Sequence, residues 1–122
     1  MPKPNPASHR ILIVDDDPDW RSALRLMLDD LGYDSVEAAS GEEALLLLEQ
    51  EPFRIVLLDM NMPGLSGYDV IARLPDPSTR VVLLTASSAQ EVGDTLNKTA
   101  AYYLPKDAGE EALGLILESL QA

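Results

Sequence analysis

Five side chains in this sequence have the types and positions from which chemistry is built: Asp15, Asp16, Asp59, Thr85 and Lys106. Each closes or follows a short apolar run: Ile11 to Val14, Ile55 to Leu58, Val81 to Leu84 and, more weakly, Tyr102 to Leu104. Brought into one pocket, the three aspartates carry a formal charge of −3, which Lys106 reduces to −2. Carboxylates that close repel, and one tends to keep a proton unless a cation intervenes. Oxygen ligands without His or Cys select a hard divalent ion, Mg²⁺ ahead of Ca²⁺ when several waters stay bound. The plain alternative is an acidic loop that only caps a helix, the expected role of Asp17 before Pro18. A carboxylate such as Asp59, fixed beside a cation and a lysine, is suited to attack phosphorus and form an aspartyl phosphate. The cation and Lys106 would then stabilise charge on the equatorial oxygens, and Thr85 would donate a hydrogen bond to one of them.

Such a pocket needs elements that deliver strand tips to one place. The apolar runs are continuous rather than alternating, as expected of parallel strands covered on both faces. Tyr33 to Glu37 mixes polar and apolar residues and predicts a strand at the sheet's edge. Trp20, Ala23, Leu24, Met27, Leu28 and Leu31 follow helical spacing up to Gly32, and Leu113, Ile116, Leu117 and Leu120 do so near the C-terminus. Further helices are predicted over Glu42 to Glu51, about Gly67 to Leu74, and about Ala89 to Lys98. The last is the weakest, with Gly93 inside it and only Val92 and Leu96 as apolar contacts. Asp17-Pro18, Ser40/Glu43, Ser66/Asp69, Ser88/Glu91 and Asp107/Glu110 supply start signals. Five strands alternating with five helices imply a flavodoxin-like (βα)5 doubly wound α/β sandwich around a parallel five-stranded sheet. With the polar strand at an edge the order is 2-1-3-4-5, which makes the first and third strands neighbours where the order reverses. Residues 1–9, with prolines at 2, 4 and 6, read as a flexible tail before one domain over 10–122.

Composition excludes several classes. Nine Lys and Arg against 21 Asp and Glu give a net charge of −12, so binding of nucleic acid or anionic membrane by this chain is not expected. There is no cysteine, hence no disulfide framework or thiolate nucleophile, and His9 is the only histidine. Ser-His-Asp hydrolysis is thereby excluded in practice. No apolar run reaches membrane-spanning length and the N-terminus lacks a signal-peptide pattern, so the expected location is the cytoplasm. An FMN carrier of the same architecture needs a phosphate loop where Asp15-Asp16-Asp17 stands.

At this point the sequence resembles the receiver domain of two-component response regulators, from about Arg10 to the C-terminus. The likeness rests on Ile11-Leu-Ile-Val-Asp-Asp-Asp-Pro18, Leu57-Leu-Asp-Met-Asn-Met-Pro-Gly64, Leu83-Leu-Thr-Ala-Ser87 and Tyr103-Leu-Pro-Lys106, in order. The resemblance implies a signalling phosphoacceptor rather than a substrate-processing enzyme. Asp59 would accept a phosphoryl group from a histidine kinase, a phosphotransfer protein or a small phosphodonor, then lose it by self-catalysed hydrolysis. It implies Mg²⁺, with Mn²⁺ or Ca²⁺ as substitutes, held by Asp15 or Asp16, Asp59 and the backbone carbonyl of Asn61. Lys106 and Thr85 would engage the phosphoryl oxygens, and Ala86 is small enough to leave them accessible. Asn61 and Ser87 occupy positions that tune hydrolysis. Thr85 and Tyr103 would move together as a switch, repacking the face made by the fourth predicted helix, the fifth strand and the last helix. That face would meet an output domain or target, or a second copy of the chain; Leu115, off the core stripe, is a candidate dimer contact or a stray surface leucine. One departure is that receivers commonly place a proline after the site lysine, whereas here Pro105 precedes Lys106 and Asp107 follows it. The alternatives are a receiver-shaped interaction module that is never phosphorylated and a small Mg²⁺-dependent aspartyl-phosphate phosphatase. The haloacid dehalogenase type of phosphatase normally carries its nucleophile on the first strand, not the third.

Overall fold

The computed structural model describes residues 10–51, 53–60, 62–65, 67–75, 79–85, 101–105 and 108–121, with backbone alone at 68, 85, 101, 103 and 121. Five strands, β1 (Arg10–Val14), β2 (Asp34–Ala38), β3 (Ile55–Asp59), β4 (Arg80–Thr85) and β5 (Ala101–Pro105), pair in parallel in the order β2-β1-β3-β4-β5. This is the expected doubly wound arrangement. Among the described residues four helices accompany the sheet: α1 (Pro18–Leu31), α2 (Gly41–Gln50), α3 (Gly67–Ala72) and α4 (Gly109–Gln121). The helix predicted over Ala89 to Lys98 and the tail over 1–9 lie outside the described residues.

Strand alternation sorts the core into two layers. Leu12, Val14, Val56, Leu58, Val81 and Leu83 face one side, where Ala44 and Leu48 of α2 and Val70 of α3 cover them. Ile11, Ile13, Ile55, Leu57, Val82 and Leu84 face the other, against Leu24 and Leu28 of α1 and Leu113, Leu117 and Leu120 of α4. Both faces of β1, β3 and β4 are therefore dry, which explains their unbroken apolar runs. Each such side chain contributes roughly 1.5–3 kcal/mol of burial. The polar β2 is an edge strand, as its composition predicts, with β5 at the other edge.

Local signals set the helix ends. Asp17 accepts the Asp19 amide at 2.9 Å ahead of Pro18, and Ser40 Oγ accepts the Glu43 amide at 3.1 Å, both as expected of caps. Gly32, at φ 93°, ends α1 with its N–H on the Asp29 carbonyl while the Tyr33 N–H reaches the Leu28 carbonyl at 2.8 Å. That pair of bonds is a Schellman turn. It claims the backbone of Tyr33 for the helix end, so β2 starts at Asp34, one residue later than the sequence pattern suggests. The Tyr33 ring packs on the α1–α4 side of the core.

Candidate functional site

The register of the sheet builds the site. β1 and β3 pair with Val14 level with Leu58, so the next residues, Asp15 and Asp59, leave adjacent strands side by side. Asp15 is fully buried and Asp59 is 3% exposed, while Asp16 faces solvent. Oxygen atoms of Asp15, Asp16 and Asp59 lie within 4.8 Å of one another. At that separation, with an effective dielectric of about 20, each pair of unit charges repels by roughly 3 kcal/mol. The donor set is all carboxylate oxygen, the chemistry that fits a hard divalent cation. The same register sets Asp59 level with Leu84, so the backbone of Thr85 lies one residue beyond it on the next strand. Thr85 in turn is level with Pro105, the residue before Lys106.

The structure thus brings together three of the expected residues, Asp15, Asp16 and Asp59. Thr85 and Tyr103 are placed by backbone only, in β4 and β5. Asn61, Ala86, Ser87 and Lys106 lie outside the described residues, as does Asp107.

Three supports of this corner have no counterpart in the motifs. Arg21, on α1, donates to the Asp15 carbonyl at 2.7 Å through Nη1 and to Glu37 Oε1 of β2 at 3.2 Å through Nε. It is a half-buried cation fixed beside the acids, and it ties β1, α1 and β2 into one unit. The nearest sequence signal is a basic residue close to a helix start, where the helix dipole disfavours it. The loop after Asp59 is held at both ends. The Met60 amide bonds the Leu84 carbonyl at 3.2 Å, and Glu42 Oε1 at the start of α2 accepts the Leu65 amide at 3.1 Å. Gly67 then lets α3 begin against β3, since a Cβ there would stand 2.8 Å from Met60 Sδ and 3.0 Å from the Asp59 carbonyl oxygen. Within the site, Asp15 Oδ1 accepts the Asp17 amide at 2.9 Å, which folds the loop over the end of β1.

A parallel sheet whose central strand tips converge an acidic trio defines a doubly wound acidic-pocket domain of the kind the motifs resemble. Comparison with known proteins fixes the family: residues 11–118 match the model of the response regulator receiver domain, and the chain belongs to that family. It is therefore a signalling domain of the two-component type. It is 37% identical over 109 residues to the alginate biosynthesis transcriptional regulatory protein AlgB of Pseudomonas putida, covering 87% of this chain and 24% of that protein. It is 31% identical over 115 residues to the autoinducer 1 sensor kinase/phosphatase LuxN of Vibrio campbellii, covering 93% of this chain and 14% of that protein. The chain thus spans a quarter or less of these two curated relatives. Among solved structures, the response regulator protein TrrA of Thermotoga maritima, in complex with Mg²⁺-BeF, superposes with a TM-score of 0.81 at 33% identity, covering 91% of this chain and 97% of that one. None of the helices among the described residues is long and apolar enough to cross a membrane.

Proposed function

We propose that residues 10–122 act as one phosphoacceptor domain in which Asp59 is phosphorylated in a Mg²⁺-dependent reaction. The observation that carries this reading is the convergence of Asp15, Asp16 and the nearly buried Asp59 on one point at the tips of adjacent strands. A carboxylate oxygen of Asp59 attacks phosphorus of the donor, a phosphohistidine or a small acyl phosphate. The P–N or P–O bond to the donor breaks and its electron pair leaves with the donor. Water later attacks the same phosphorus, releasing inorganic phosphate and restoring the carboxylate. Mg²⁺ supplies charge neutralisation for the acids and for the transferring oxygens; TrrA in complex with Mg²⁺-BeF is a relative that supports it. Asp15, Asp16 and Asp59, with the Asn61 carbonyl, would hold the ion. Lys106 and Thr85 hold the phosphoryl oxygens, Ala86 leaves room for them, and Asn61 and Ser87 set the rate of hydrolysis.

Thr85 and Tyr103 transmit the change to the surface near β5 and α4, where an output domain, a target or a second copy reads it. Relatives that are a transcriptional regulator and a sensor kinase support a kinase or phosphotransfer protein as donor and an output domain downstream. The cytoplasm is the proposed location.

The test is incubation with acetyl phosphate or phosphoramidate, with and without Mg²⁺, followed by intact mass spectrometry. The expected result is one added phosphoryl group, only with Mg²⁺, and none in Asp59→Asn. Equal labelling of that variant refutes the assignment, and no labelling of the native chain favours a binding module without phosphotransfer.

A further inference from the structure

A second feature lies between the C-terminal end of α1 and the middle of α4. There a groove of about 260 Å³ is lined by Leu31, Tyr33, Glu111, Gly114, Leu115 and Glu118. Its floor is apolar. Gly114 has no side chain to fill it, and a Cβ at that position would already meet Leu31 Cδ2 at 3.2 Å. Leu115 is 63% exposed, one of the most exposed large apolar side chains among the described residues. The rim contributed by α4 is acidic. Glu111 and Glu118 border the groove, and the side chains of Asp30 and Glu110 hydrogen-bond across the same seam, which raises Glu110 above its ordinary carboxyl value.

Among the described residues, no Lys or Arg lines the groove. There is no Lys or Arg between Arg25 and Arg54, and none after Lys106. Arg21 and Arg25 of α1 both contact Glu37, on β2.

We propose that this groove docks an amphipathic helix of another protein, presenting an apolar stripe flanked by Lys and Arg. The apolar stripe covers Leu31, Gly114 and Leu115, and the basic flanks pair with Glu111 and Glu118. Charge decides the occupant. A second copy of this chain would set the same glutamates against each other, with a net charge of −12 on each molecule. A segment of this sequence cannot supply the stripe either, because Arg21 and Arg25 are the only two Lys or Arg residues within four positions of each other. The proposal is independent of phosphorylation at Asp59.

The test titrates the ¹⁵N-labelled 122-residue chain with a synthetic Leu/Lys amphipathic helix and follows amide shifts. Expected are shifts confined to the end of α1, Tyr33 and α4. Leu115→Ser and the double variant Glu111→Gln/Glu118→Gln should each weaken binding by about tenfold. The charge-matched control on α2, Glu43→Gln/Glu49→Gln, should change it less than about twofold. Three results overturn the proposal. They are no saturable binding up to about 1 mM peptide, equal losses in the two double variants, and self-association of the free chain that is lost in Leu115→Ser, which would make the occupant a second copy.

Discussion

Carboxylates crowd together at two places in this domain, and the two are built differently. At the tips of β1 and β3 the acids stand on strands that are dry on both faces, and Asp15 and Asp59 are nearly buried. Backbone bonds from Asp17 and an arginine fixed by Glu37 hold them in place. A rigid frame holds these acids together, an arrangement that fits a hard cation. At the seam of α1 and α4, by contrast, Asp30, Glu110, Glu111 and Glu118 sit on helix surfaces beside a groove. There a proton or a basic partner relieves the repulsion. Burial and rigidity turn one cluster into a candidate reaction site, while exposure leaves the other as a surface for recognition.

The largest expected effect separates the two regions outright. Asp59→Asn should abolish phosphoryl labelling, whereas Glu110→Gln and Asp30→Asn should leave its rate within about twofold, because exposed charges are screened by salt. Labelling that falls equally in the seam variants would mean the two clusters act as one.

Mg²⁺ gives the next contrast. At a concentration 100 times its dissociation constant, a ligand of the native state alone stabilises by about 2.7 kcal/mol. The native chain should show a Mg²⁺-dependent rise in melting temperature that Asp15→Asn reduces strongly. An amide at position 15 still accepts the Asp17 N–H but carries no charge. In metal-free buffer Asp16→Asn, which removes one exposed member of the trio, should melt higher than native by about 1 kcal/mol of stability. Glu110→Gln should leave the Mg²⁺ response intact. A Mg²⁺ response unchanged in Asp15→Asn would place the ion elsewhere.

The frame itself is open to a geometric test. Gly67→Ala places a methyl group 2.8 Å from Met60 Sδ and 3.0 Å from the Asp59 carbonyl oxygen, closer than a Cβ tolerates. The expected cost is about 1–2 kcal/mol by thermal unfolding, together with slower labelling at saturating Mg²⁺. Gly114→Ala, in the seam, meets only the movable end of Leu31 and should cost less or stabilise.

How much of this was legible in the sequence follows from where the signals reside. The strand order and the acidic trio could be read because unbroken apolar runs mark buried parallel strands, and each ends in the residue that matters. The bonds of Arg21 to the Asp15 carbonyl and of Glu42 to the Leu65 amide could not, since backbone groups have no residue identity to recognise. In the sequence Gly67 marks only the start of a predicted helix, and the packing shows that a close approach requires it. β2 begins one residue late because Tyr33 spends its amide on the end of α1. The groove was invisible for a similar reason. Leu115 is a lone leucine off the stripe until α1 is seen beside it.

The smallest effect is a pH dependence, and its sign distinguishes the seam from the corner. In the folded chain the Asp30 side chain hydrogen-bonds Glu110 and repels its charged form, holding its carboxyl above the ordinary 4.5. Between the unfolded and folded values the native state therefore binds more protons than the unfolded one, so stability falls as pH rises through that window. The contribution is fully present below the unfolded value and gone above the folded one. Glu110→Gln removes the titration, so the variant should gain on the native chain as pH rises from mildly acid to neutral and show no advantage near pH 4. Thermal melts of both chains across that range, in low salt, measure the difference. A gap that widens toward acid pH instead would mean that Glu110 is stabilised as a carboxylate, and the seam would then already possess the positive charge that the docking proposal assigns to a partner.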